Sequence, residues 1–189
     1  QGLLYSSKEE AKRMVKEWKK TIAKKGDKYN EVMNITPQPQ ASVTLMDQSN
    51  GEIKAMVGGR GAKGSSLSLN RAYKGAKRQP GSTFKVLAAY APAIDACGKT
   101  LSSTVVDEPY SYKNGKSVRN ASRSYKGTVT YRTAIANSIN VCAVKVSDEI
   151  TQQLGYEYCK DKFGISTLVK NKEINGKIFS DVNQTLALG

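Results

Sequence analysis

Arg78-Gln79-Pro80-Gly81-Ser82-Thr83-Phe84-Lys85-Val86-Leu87-Ala88-Ala89-Tyr90 sets an apolar run behind a Pro-Gly break, with one hydroxyl and one amine at its head. The run predicts a helix over 82–96, stopped by Gly98. Residues three apart are neighbours on a helix surface, so the Lys85 amine lies beside the Ser82 hydroxyl. A helix start also carries unpaired backbone N–H groups and the positive end of the dipole, which favour an oxyanion at an attacked carbonyl. A free lysine titrates near ~10.4 and is a poor base at neutral pH. Burial and nearby positive potential lower that value and yield an amine able to take the serine proton. Val86, Leu87, Ala88 and Ala89 predict the buried helix that such lowering requires. Taken alone, Ser-x-x-Lys also describes an N-capping serine followed by a solvated lysine.

A second stretch gives the first one company. Ala136-Asn137-Ser138-Ile139-Asn140 falls at a predicted break between two helices, the first capped by Thr130 and running to about Asn137. A hydroxyl and an amide two residues apart in a turn can point into one cleft. The plainer reading is that Ser138 or Asn140 simply caps the next helix.

The rest of the composition narrows the chemistry. The 189 residues contain no histidine, which removes Ser-His-Asp triads, Cys-His dyads and most zinc sites. Any base must be a lysine, a carboxylate or a tyrosine. Cys97, Cys142 and Cys159 are not spaced as CxxC and read as small buried apolar residues. The net charge of +14 implies attraction to an anionic polymer or surface. No aromatic-basic array or recognisable motif accompanies it, so nucleic acid is not an expected partner. No apolar run reaches membrane-span length, and the chain, which starts at Gln1 and stops at Leu188-Gly189, reads as a piece of a longer protein.

Before residue 40 the pattern is one amphipathic helix, Ser6 to Lys25, with Met14, Val15, Trp18 and Ile22 on one face. Ser7 with Glu10 fits a capping box, as does Ser6 with Glu9. Pro37 and Pro39 mark an extended linker over 34–40. Two alternating runs, Ala41 to Asp47 and Glu52 to Val57, flank Asn50-Gly51 and predict a β-hairpin. Gly58 to Gly64 reads as a glycine-rich basic loop without the spacing of a phosphate loop. Leu101 to Gly127 reads as an irregular, hairpin-like excursion. Two further helices are expected, from about Asn140 to Leu154 with Gly155 as stop, and from Tyr156 to Phe163 with Gly164 as stop.

Together these stretches resemble the penicillin-binding proteins, the serine transpeptidases that cross-link peptidoglycan, and most closely the transpeptidase domain of the bifunctional class A enzymes. The hairpin with Ala55-Met56-Val57-Gly58-Gly59, then Asn70-Arg71-Ala72, Arg78 to Lys85 with Ala91-Pro92-Ala93, and Gly127 to Val141 carry the likeness. It implies an α+β fold of the β-lactamase/transpeptidase type, an antiparallel sheet flanked by helices plus a helical lobe. The domain would occupy residues 40–189 in part, and residues 1–39 would form an N-terminal helix and linker.

The resemblance also implies roles. Ser82 would be acylated by the penultimate D-Ala carbonyl of a stem peptide, with Lys85 as base. Ser138 would relay a proton to the leaving amine. Asn140 would bind the substrate amide and help orient the lysine. β-Lactams would acylate the same serine. No metal or organic cofactor is implied. The parent would be anchored in the cell membrane, with this domain on its outer face, and would also carry a glycosyltransferase.

One departure and two rival readings qualify the picture. No Lys-Thr-Gly or Lys-Ser-Gly follows Ser138, the motif that in the family binds the donor carboxylate on a core strand. The strand after it supplies one of two oxyanion N–H groups, whose loss costs roughly 100- to 1,000-fold in such sites. The chain alone is therefore expected to cross-link poorly. A class A β-lactamase, the nearest rival, needs a deacylating glutamate, for which Glu173 is the candidate, but Ile174-Asn175 breaks the glutamate-x-x-asparagine pattern. A non-catalytic β-lactam sensor or interaction domain would keep Ser-x-x-Lys as well.

Overall fold

The computed structural model describes residues 5–28, 30–31, 33, 35, 38–61, 69–73 and 77–189, so the expected linker over 34–40 and the loop from Gly58 lie partly outside the described residues. The chain forms two compact units, Gln1–Lys77 and Arg78–Gly189.

The first unit opens with helix α1, Lys8–Ile22. Its cap takes the Ser7–Glu10 register, and Glu10 rather than Glu9 is the partner of Ser6. The Ser7 hydroxyl accepts from the Glu10 N–H at 3.0 Å, while the Glu10 carboxylate accepts from the backbone N–H of Ser6 at 2.9 Å. Strands β1 (Val43–Met46) and β2 (Ile53–Val57) pair antiparallel, with Val43 opposite Val57 and Leu45 opposite Ala55, the phase the alternation predicts. Gly51 takes φ +75° in the connecting turn, and the Asn50 side chain accepts from the Glu52 N–H at 2.9 Å. Asn70 folds back onto the end of β2, where a side chain at Gly58 would meet its Oδ1, and Arg71 donates to the Gly58 carbonyl at 2.9 Å.

The second unit holds the main core. Its helical run starts as a 3₁₀ turn, Gly81–Thr83, widens into a π turn over Val86–Tyr90, and continues as α2, Ala91–Ala96. The single uniform helix expected over 82–96 is thus wound three ways. Pro92 gives the reason: it has no N–H for the Ala88 carbonyl four residues earlier, and its ring crowds that carbonyl. Widening the turn ahead of it relieves the conflict.

The stretch read as irregular and hairpin-like contains three short strands, β3 (Thr104–Asp107), β4 (Tyr110–Ser111) and β5 (Ser117–Val118), and a fourth, β6 (Gly127–Thr130), starts at its end. β3 pairs with β6 and β4 with β5, all antiparallel. Thr130 then caps α3 (Tyr131–Ala136), its hydroxyl accepting from Thr133 N–H at 3.2 Å. Helix α4 runs Asn140–Ile150 and α5 Gln152–Glu157, followed by a π turn over Tyr158–Lys162 that ends at Gly164, φ +66°. Strands β7 (Lys172–Ile174) and β8 (Lys177–Phe179) form the last hairpin, and a 3₁₀ segment, Gln184–Leu188, closes the unit.

Gly155 does not stop a helix; it lies inside α5. A Cβ there would sit 2.3 Å from the Ala88 carbonyl oxygen, the very oxygen that Pro92 leaves without its helical donor. α4 is the hub of the core. Cys142, Ala143 and Val146 pack with Ala89, Tyr90, Ala93 and Tyr131, while Val141 and Val144 pack with Val118. The Tyr90 and Tyr131 rings meet edge to face at 5.3 Å.

Candidate active site

Ser82 stands in the 3₁₀ turn behind Gly81, which takes φ +63°. The side chain is exposed, and its hydroxyl has no hydrogen-bond partner among the described residues. One turn further, Lys85 is only 3% exposed. Phe84 and Ala88 bury the run on one side and Ala89 and Tyr90 on another, but Val86, expected in the buried run, is exposed.

The Lys85 amine crosses to the second motif. Its Nζ donates to the Ser138 hydroxyl at 2.8 Å and to the Ser138 carbonyl at 2.6 Å. Both acceptors come from one residue because Ser138 takes φ +51° in the turn between α3 and α4. Left-handed backbone is uncommon for serine and is a form of strain found at functional turns. Here it turns the carbonyl and the side chain toward the same amine.

Among the described residues no carboxylate pairs with Lys85. Burial, the largest influence, holds its pKa below the ordinary lysine value, with the Cys142 thiol acting in the opposite sense. That thiol is itself pushed up to about 12, chiefly by burial, so near neutral pH it carries no charge to oppose the lowering. Cys142 and Cys159 are buried and free, as expected; Cys97 is also free but exposed.

Asn140 begins α4. Its side-chain N–H donates to the Arg119 carbonyl at 2.7 Å, and no bond joins it to Lys85. The structure therefore joins Lys85 directly to Ser138 and holds Asn140 in the same turn through a different partner. Glu173, the candidate deacylating residue, is exposed on β7, in a hairpin whose turn residues Asn175 and Gly176 have positive φ.

Three groups not marked by the motifs lie near the site, two by the α4 start and one by the Ser82 turn. Asp107 is 1% exposed and Asn120 is 7% exposed, and they are bonded to each other. Gly189 lies against Gly81: a Cβ there would fall 2.4 Å from the Gly81 oxygen and 2.5 Å from its nitrogen. Only a polar residue type in a loop marked Asp107 and Asn120 in the sequence, and nothing marked Gly189.

The penicillin binding protein transpeptidase domain model matches residues 41–189. The chain belongs to that family. It is 40% identical over 136 residues to penicillin-binding protein 1A of Clostridium tetani, an alignment covering 68% of this chain and 17% of the relative. It is 33% identical over 137 residues to penicillin-binding protein 1A/1B of Bacillus subtilis, covering 70% and 15% respectively. The chain thus spans less than a fifth of these relatives.

Among solved structures, penicillin-binding protein 1A from Haemophilus influenzae superposes with a TM-score of 0.62 at 27% identity, over 79% of this chain and 20% of that one. The penicillin-binding protein PonA1 from Mycobacterium tuberculosis superposes with a TM-score of 0.61 at 21% identity, over 95% and 42%, which supports the fold. The α+β transpeptidase fold read from the motifs is the fold found. No described helix is long and apolar enough to cross a membrane.

Proposed function

We propose that Ser82 is the nucleophile of a D-Ala-D-Ala transpeptidase that cross-links peptidoglycan stem peptides and is acylated by β-lactams. The observation that carries this reading is the buried Lys85 amine bonded to Ser138, one helical turn from an unpaired serine hydroxyl. A neutral amine has two N–H groups and one lone pair. Both donors are engaged by Ser138, so the lone pair is left for the Ser82 proton.

In the reaction, Ser82 Oγ forms a bond to the penultimate D-Ala carbonyl carbon and its proton passes to Lys85. The bond to the terminal D-Ala nitrogen then breaks. Ser138, already bonded to Lys85, gives its hydroxyl proton to that departing nitrogen and takes in its place the proton that Lys85 received. The amine of a second stem peptide attacks the ester, forms the new amide and returns the hydroxyl to Ser82. Asn140 keeps its Oδ1 and one N–H for the substrate peptide while Arg119 holds the other. The chain works with no cofactor in this scheme. Its setting is the outer face of the cell membrane, on a membrane-anchored parent that also carries a peptidoglycan glycosyltransferase.

Mixing the complete gene product with a fluorescent penicillin tests the proposal. One label per molecule, lost in Ser82→Ala and accompanied by D-Ala release from a pentapeptide donor, is the expected result. Labelling that survives Ser82→Ala overturns it. Rapid turnover of a chromogenic cephalosporin would instead identify a β-lactamase.

A further inference from the structure

We propose that Asp107 and Asn120 form a buried positioning pair that fixes the first turn of α4, and through it the placement of Asn140 and Ser138. This inference rests on the acyl-transfer reading of the site.

The start of α4 poses a problem that its own sequence does not solve. The residue before it is Ile139, which has no side chain able to cap. The N–H groups of the first helical turn have no partner within the helix, and a buried one left unpaired is costly. Val141 is fully buried. Its N–H is satisfied from a distant part of the chain, by Asn120 Oδ1 at 3.1 Å. Asn120 is thus the cap of α4, supplied from 21 residues upstream.

Its amide has one workable orientation. Asn120 Nδ2 donates to Asp107 Oδ1 at 2.7 Å and to the Ser124 carbonyl at 3.0 Å. Flipping the amide would set its oxygen against a carboxylate oxygen and a carbonyl, and its NH₂ against the Val141 N–H. All three contacts would become repulsive. Asp107 is fixed in turn, because its Oδ2 accepts the backbone N–H of Lys126 at 3.0 Å and its strand pairs with β6 opposite Gly127.

The neighbouring residues complete a two-point clamp. Arg119 accepts from the Asn140 side chain while Asn120 accepts from the Val141 backbone. Two consecutive residues of one segment therefore grip two consecutive residues of the helix. Ser138, two residues before Asn140, is strained at φ +51° and must deliver both its oxygens to Lys85. A clamp on one side of the turn is what keeps that strained conformation from relaxing.

The test uses the complete gene product and a fluorescent penicillin. Titration gives the fraction of competent sites, and the acylation rate constant gives the chemistry per competent site. Asn120→Asp puts two carboxylates where the 2.7 Å bond was, and acylation per labelled site is expected to slow about 10- to 100-fold. Asn120→Ala leaves the Val141 N–H without its acceptor, introduces no charge, and is expected to slow acylation similarly. Adding Asp107→Asn to Asn120→Asp restores the bond between the pair and the acceptors for Val141 and Lys126, and leaves one unfavourable contact, a carboxylate oxygen at position 120 facing the Ser124 carbonyl. That double variant is expected to recover the rate to within a few-fold.

A lower labelled fraction with an unchanged rate per site assigns the pair to folding alone and overturns the proposal. So does a double variant no faster than Asn120→Asp. Ser138→Ala and Asn140→Ala are measured alongside. If they leave acylation unchanged, the reading of the site fails; if they slow it while the Asn120 variants do not, only the positioning pair falls.

Discussion

The proposed chemistry rests most heavily on one residue, Lys85. A protonated amine in this position would have all its valences used, with no lone pair to accept the Ser82 proton. Burial without a counter-charge holds its pKa below the ordinary value of 10.5 and makes the neutral form accessible. Acylation by a fluorescent penicillin is therefore expected to rise with pH by about tenfold per unit until it levels off at that lowered pKa. Lys85→Arg, which keeps a charge that cannot leave, is expected to show no such limb and almost no labelling. The same burial acts on stability. Between the folded and the unfolded pKa the unfolded chain binds the extra proton, so stability rises with pH through that window and the cost is greatest below it. Urea titrations should show this slope in the wild type and lose it in Lys85→Met. Ser82 and Lys85 could be read from the sequence because spacing and neighbouring apolar residues encode their setting. The left-handed backbone of Ser138 could not, since no glycine or asparagine stands at that position to announce it.

At the scale of elements, sequence periodicity placed α1, the first hairpin, α3 and the start of α4. It failed where an element answers to a distant neighbour. Gly155 reads locally as a helix stop, yet its lack of a side chain serves the approach of α5 to the π turn at Ala88. That approach lets a C–H of Gly155 face the Ala88 carbonyl, to which Pro92 has no N–H to donate. Gly155→Ala is therefore expected to destabilise the fold despite the better helix propensity of alanine. A methyl 2.3 Å from a backbone oxygen forces two helices apart, and overpacking of this kind costs about 1–3 kcal/mol. A lowered thermal midpoint checks this; a rise, as propensity alone would give, refutes the close-contact account. The stretch from Leu101 to Gly127 reads as hairpin-like, but its individual strands are not legible, for a related reason. β4 and β5 have two residues each, too few for alternation to register, and exist because Val118 packs on Val141 and Val144.

Across the larger unit, segments far apart in sequence converge on the two motifs through polar contacts that no local pattern encodes. Asp148 on α4 accepts from Tyr110 at 2.7 Å, from Gln152 at 2.6 Å and from Gln184 at 2.7 Å. Gln184 in turn accepts the Lys113 N–H at 2.8 Å. One buried glutamine thus fastens the closing 3₁₀ segment to α4 and to the β4–β5 hairpin. The segment so anchored delivers Gly189 onto the backbone of Gly81, the residue before Ser82. Gly189 takes φ +85° and leaves no room for a side chain. Gly189→Ala is therefore expected to displace the Gly81–Ser82 peptide and to slow acylation by about 100-fold, the usual consequence of an ångström-scale misplacement. Gly98→Ala separates this steric effect from backbone strain, because Gly98 has φ +63° but nothing within 4 Å of an added methyl. It is expected to cost about 1 kcal/mol of stability and to acylate at the wild-type rate. Equal loss of acylation in the two variants would mean that strain at a left-handed glycine, rather than contact with Gly81, governs the placement of Ser82.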